Sequence, residues 1–323
     1  MKKIIFLFSG QGSQYFGMCK SLYKTQNTFK NKMDKMDEMV YELTHTSPLH
    51  YMYDEEKSIS SSCDDLMMTH TSIFMMEYAI GQMLMKEGIC PDLLIGYSLG
   101  EYVALALSGA ADYLEVLKLL IKQVEIITAN CNESRMLAII ENSCIYYENE
   151  EIMRNSEICS VNFKKHFVVG GSKEGIFKVQ AFLQKKNVPN VVLPVTYGFH
   201  TSFIDQAKEY FTKVSNGIFN NPMEYNIYSS AYQKILDYIP ENYLWNVIRQ
   251  PVYFDSVIRR QEISDKPCIY VDLGIGGTLS NFITNIIDET ATARCMYIVN
   301  PMGKDDKRYE KVLRQLKEIC HVT

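Results

Sequence analysis

The pentapeptide Gly96-Tyr97-Ser98-Leu99-Gly100 has the form G-x-S-x-G, and the chemistry it points to is nucleophilic. On a sharp strand-to-helix turn such a serine presents its Oγ to substrate. The next backbone N–H, from Leu99, can then stabilise an oxyanion, helped by the positive end of the following helix. A serine at its free pKa is a weak nucleophile and needs a base. Histidines stand at positions 45, 50, 70, 166, 200 and 321. His166 lies among lysines in an expected hairpin, and His321 sits at a terminus expected to fray. His200, in Tyr197-Gly198-Phe199-His200-Thr201, is expected at the end of an apolar strand, and pairing with Ser98 gives it a purpose beyond that of an ordinary core histidine. A third element, the loop Gly10-Gln11-Gly12-Ser13-Gln14, could cradle phosphate or donate an N–H to an oxyanion. It matches neither the Walker pattern nor G-x-G-x-x-G.

The elements needed to hold these residues are legible as runs and breaks. Ile4 to Phe8 is a continuous apolar run that suits a strand buried on both faces of a parallel sheet. Leu93-Leu94-Ile95-Gly96 reads as a second such strand, leading through the serine turn into a helix over Glu101–Ser108 that stops at Gly109. Thr71–Lys86 and Leu114–Ala129 read as helices, and Cys268–Leu273 as a late strand followed by Gly274-Ile275-Gly276-Gly277. Between Met136 and Val195 the texture changes. Short apolar runs at 136–140, 158–161, 167–169 and 191–195 alternate with helical stretches near 148–155 and 175–186, giving the order β-α-β-β-α-β of a ferredoxin-like unit. The expectation is an α/β protein with a large subdomain over 1–133 and 198–323 and a small inserted subdomain over 134–197. Lys304–Glu318 reads as a basic amphipathic helix with a solvated face.

Composition narrows the class. The 323 residues are 47% hydrophobic and 22% charged, with 33 Lys and Arg against 38 Asp and Glu for a net charge of −5. A nucleic-acid binder would be basic, and a disordered chain less apolar. Nine cysteines, odd in number and nowhere spaced C-x-x-C, read as reduced thiols rather than as disulfides or a zinc site. The apolar run after Met1-Lys2-Lys3 is too short for a signal peptide, and no segment reaches membrane-spanning length. A cytoplasmic protein is expected.

Taken together, four ordered motifs resemble the malonyl-CoA:acyl carrier protein transacylases and polyketide synthase acyltransferases. They are the first strand with Gly10-Gln11-Gly12-Ser13-Gln14, the elbow Gly96-Tyr97-Ser98-Leu99-Gly100-Glu101, the segment Tyr197-Gly198-Phe199-His200, and Asp272-Leu273-Gly274 with Gly277-Thr278-Leu279. The resemblance runs from about residue 3 to residue 300. It implies an α/β-hydrolase-like core with a ferredoxin-like insertion, acylation of Ser98, His200 as base, and an oxyanion hole from the N–H groups of Gln11 and Leu99. It also implies that the backbone carbonyl of Gln250, ahead of Pro251-Val252, orients the histidine, so that a Ser-His dyad works without an acid. No resident cofactor or metal is implied; the acyl group arrives on phosphopantetheine, or as a coenzyme A thioester. The expected partner is an acyl carrier protein, and the expected state a monomer.

One departure decides the expected substrate. Malonyl-using members carry an arginine in the helix after the elbow, whose fork binds the extender carboxylate. In Leu119-Leu120-Ile121-Lys122-Gln123-Val124-Glu125 that position is Gln123, with Lys122 turned away on the helix. A neutral amide cannot balance a desolvated carboxylate, so malonyl is expected to be a poor substrate. Tyr97 and His70 also differ from the common residues and, with Phe199 and Asn162, are expected to shape the acyl pocket. An intact dyad without the arginine is similar to the discrete acyl hydrolases of trans-acyltransferase polyketide synthases, which clear short acyl groups from carrier proteins. Loading of an uncharged acyl group onto a carrier protein, a docking module without catalysis, and a conventional hydrolase whose base is His321 are the alternatives.

Overall fold

Residues 2–219, 221–263, 266–287 and 294–320 are described by the computed structural model. Strand β1 (Lys3–Phe8) is the centre of the larger sheet, with its side chains alternating between two cores. Ile4, Phe6 and Phe8 pack into one core, with the helices Leu66–Lys86, Gly100–Leu107 and Tyr113–Asn130. Ile5 and Leu7 pack into the other, with Phe254–Glu262 and Thr278–Ile286. Helices on both faces explain why the strand reads as an unbroken apolar run rather than an alternating one.

The remaining strands are β2 (Leu93–Gly96), β3 (Arg135–Ile139), β4 (Glu157–Phe163), β5 (His166–Gly171) and β6 (Asn190–Val192), followed by β7 (Ile227–Ser229), β8 (Lys234–Leu236), β9 (Val252–Tyr253), β10 (Cys268–Asp272) and β11 (Cys295–Tyr297). The larger sheet has the order β11-β10-β1-β2-β7-β8. Its pairings are parallel except for the β7–β8 hairpin at one edge.

The second sheet has the order β6-β3-β5-β4-β9. Its first four members, with the helix Lys173–Lys185 and two short helices over Cys144–Glu148 and Glu150–Asn155, form the expected ferredoxin-like unit. The β4–β5 hairpin turns at Lys164-Lys165, so Phe163 pairs with His166. Leu137, Ile139, Phe167 and Val169 face the helices, whereas Ala138, Cys159 and Val168 form a small cluster on the opposite face with Met136 and Leu193. That second face looks toward the larger subdomain.

Two expectations need correction. The second sheet is not confined to 134–197, because β9 from the later segment pairs in parallel with β4, Ser160 beside Val252. A two-residue strand carries no periodicity of its own, and only tertiary contact creates it. His200 also does not end a strand: β6 stops at Val192, and 193–201 run as turns. Pro194 lacks the N–H that a continuing ladder needs. Among the described residues, no helix is long and apolar enough to cross a membrane.

Candidate active site

The elbow forms because the chain must reverse within three residues between β2 and the helix Gly100–Leu107. Ser98 takes the left-handed conformation at φ 56°, which lifts its side chain off the turn. Gly100 lets the helix start against β1; a Cβ there would lie 2.1 Å from the carbonyl oxygen of Phe8. Gly10 likewise brings the loop before Gln11 against the elbow, since a Cβ on it would meet the Tyr97 carbonyl oxygen at 2.9 Å.

His200, also left-handed at φ 66°, meets the elbow from the opposite side. Its Nε2 lies 2.7 Å from Ser98 Oγ, and its Nδ1 lies 2.7 Å from the carbonyl oxygen of Gln250. A carbonyl can only accept, so Nδ1 carries the hydrogen and the Nε2 lone pair faces the serine hydroxyl. Burial lowers the His200 pKa to about 4; the Gln250 carbonyl opposes that shift and the charge of Arg249 reinforces it. The imidazole is therefore neutral at pH 7 and able to take a proton.

Two buried carboxyls hold the surroundings in place. Glu101, next to the elbow, accepts hydrogen bonds from the hydroxyls of Ser229 and Tyr243 at 2.7 Å each and from the N–H of Ser230 at 2.8 Å. Tyr243 opens the helix Tyr243–Arg249, whose end supplies Gln250 O to His200 Nδ1 and Ile248 O to the His200 N–H, the latter at 2.7 Å. Glu77 accepts from the N–H and hydroxyl of Ser9 at 3.1 and 2.5 Å, bracing the strand end that leads to Gln11. Desolvation pushes both carboxyls up, Glu101 to about 7. Sequence reasoning assigned neither residue a role; a charged residue inside an otherwise apolar helical stretch was the available signal.

Ser98, His200, Gln11 and Leu99 line one cavity of about 80 Å³ together with Tyr97, Phe199, His70 and Gln123. Small-molecule sites run to roughly 300–1,000 Å³, so the space suits a short group. The far wall is the second face of the smaller sheet, through Met136, Cys159, Val168 and Leu193. No lining residue is a Lys, Arg, Asp or Glu. Gln123 is buried, and its Oε1 accepts a hydrogen bond from the fully buried Tyr102 hydroxyl. Lys122 points to solvent and pairs with Glu125 at 2.7 Å, as the helix geometry requires. The His70 ring lies 5.7 Å from that of Phe199, tilted by 46°, and desolvation lowers its pKa to about 3.

Asn162 is the expected pocket residue that does not line the cavity. It sits behind Tyr97, accepting the Tyr97 hydroxyl at 2.8 Å and contacting His166 Nδ1 at 2.8 Å through its amide nitrogen. Its large partner stands between it and the cavity. His321 lies outside the described residues.

The family model for the acyl transferase domain matches residues 5–323. The chain belongs to this acyltransferase family. Among relatives, the chain is 35% identical to the polyketide biosynthesis acyltransferase homolog PksD of Bacillus subtilis, over 96% of this chain and 95% of that one. Identity to the homolog BaeD of Bacillus velezensis is 34% over the same shares. The acyl transferase domain of SpnD, solved in complex with 2-(pent-4-yn-1-yl)malonyl, superposes with a TM-score of 0.87 at 20% identity, covering 98% of this chain and 76% of that one. Malonyl-CoA:acyl carrier protein transacylase from Helicobacter pylori gives 0.82 at 20% identity, covering 98% and 99%. Those two likenesses establish the acyltransferase fold.

Proposed function

We propose that this acyltransferase-family protein is a serine acyl hydrolase that removes acetyl and other short uncharged acyl groups from the phosphopantetheine of acyl carrier proteins in polyketide biosynthesis. The observation that carries the reading is the cavity itself: a Ser-His pair opens into a small space with no cation, where Gln123 is held by Tyr102. Losing a charged partner for a desolvated carboxylate costs about 2–5 kcal/mol, which disfavours malonyl.

In this mechanism Ser98 Oγ attacks the thioester carbonyl carbon while His200 Nε2 takes its proton. The N–H groups of Gln11 and Leu99 stabilise the oxyanion. The tetrahedral intermediate collapses, the C–S bond breaks, and the imidazolium returns the proton to the leaving sulfur as free thiol. Water, deprotonated by His200, then attacks the acyl-serine; the proton passes back to Ser98 Oγ as the acid departs. The Gln250 carbonyl keeps the tautomer correct throughout.

Intact-protein mass spectrometry of acetyl-, butyryl- and malonyl-loaded carrier protein tests the reading. Loss of acetyl or butyryl to free phosphopantetheine with malonyl spared is expected, and is abolished in Ser98→Ala and unaffected in His321→Ala. Stable acylation of Ser98 from acyl-CoA followed by loading of empty carrier would make the protein a transferase. Loss of turnover in a folded His321→Ala variant would overturn the dyad.

A further inference from the structure

The cavity is uncharged, but it is not uniformly apolar. Gln123 is only 1% exposed, and its carbonyl oxygen is already used by the Tyr102 hydroxyl. The amide nitrogen has no partner among the described residues, so Gln123 offers the cavity its N–H donors. His70 is 3% exposed, lines the same cavity, and has a buried Nδ1 without a hydrogen-bond partner. Nothing charged sits beside that ring: Phe199 is its ring contact, and desolvation is the cause that keeps it neutral. Buried polar groups are normally satisfied, so an unpartnered His70 nitrogen in a cavity that also presents the Gln123 amide calls for a ligand group. An acyl group that fills 80 Å³ leaves no room beside it for a bridging water.

We infer that the acyl group this site selects is a short chain bearing an uncharged oxygen, a hydroxyl or a keto group, beyond the thioester carbonyl, held by the Gln123 amide N–H and by His70. The inference rests on the acyl-enzyme reading above and names its substrate class. A hydroxyl accepts from Gln123 and donates to or accepts from the neutral imidazole, whereas a keto oxygen accepts from both. A purely apolar chain leaves both groups unsatisfied, so acetyl and butyryl are turned over more slowly than a chain that carries the oxygen. A carboxylate meets donors but no compensating charge.

The test uses N-acetylcysteamine thioesters with the full chain, following thiol release against a Ser98→Ala blank. Two matched pairs are compared: 3-hydroxybutyryl with butyryl, and 3-oxobutyryl with butyryl. The oxygenated member of at least one pair is expected to have a kcat/KM about tenfold higher or more. That ratio should fall toward one in His70→Leu and in Gln123→Leu. Equal or faster turnover of butyryl in both pairs overturns the inference while leaving the Ser98 acyl-enzyme intact, and needs only the unaltered protein. A preference that persists in both folded variants also overturns it. Absence of Ser98-dependent thiol release from every thioester would sink the enzymatic reading along with it.

Discussion

His200 Nε2 and Ser98 Oγ are 2.7 Å apart in a buried setting that lowers the histidine pKa to about 4. A general base acts only when unprotonated, so activity should persist as pH falls until that pKa is approached. The rate of Ser98 acylation measured by rapid quench is expected to stay within about twofold between pH 7.5 and 5.5, where a histidine of ordinary pKa would lose about tenfold. Gln123 makes a second prediction. In Gln123→Arg the guanidinium replaces the amide beside Tyr102 and supplies the missing charge, and the malonyl-to-acetyl ratio of acylation rates should rise about tenfold or more. An unchanged ratio with Ser98 still reactive would show that position 123 does not meet the acyl end. At this scale the sequence was most readable: Ser98, His200 and the Gln250 carbonyl each sit in a short contiguous motif. The Tyr102 bond to Gln123 and the empty Nδ1 of His70 were not readable, because both depend on how separate helices meet.

Elements position these residues through contacts with no tolerance for volume. The helix after the elbow starts where a Cβ on Gly100 would sit 2.1 Å from the Phe8 carbonyl. Gly100→Ala must therefore push the helix from β1, and chemical denaturation should show a loss of about 3 kcal/mol or more, with Ser98 displaced and acylation lost. Strands β1, β2 and β10 and the long helices were legible because each has an apolar run and a breaking glycine. Strands β7, β8 and β9 were not: they have two or three residues each, and their pairing is set by distant partners. The Glu101 cluster is illegible in the sequence for the same reason, since its donors come from positions 229–231 and 243.

Across the whole molecule, buried titratable groups pull the pH dependence of stability in opposite directions. His70 and His200 have pKa values lowered to about 3 and about 4, so the unfolded chain takes up their protons first and stability falls as pH drops below about 6.5. Glu101 and Asp272, raised to about 7 and about 6, hold protons in the folded state and gain stability over that range. A difference measurement separates them. The stability of the unaltered protein relative to His70→Leu, from urea unfolding, should fall by about 2 kcal/mol between pH 7.5 and 5.0. A constant gap would mean that His70 titrates as freely as in the unfolded chain. Ser98 and His200 occupy left-handed backbone at φ 56° and 66°, a conformation that costs a side chain about 1–2 kcal/mol and costs glycine nothing. A screen for heat resistance alone would therefore reward glycine at Ser98, whose small side chain leaves little space behind, and enrich durable, inert proteins. Robustness and reactivity compete here at the nucleophile, and only selection for turnover would keep it.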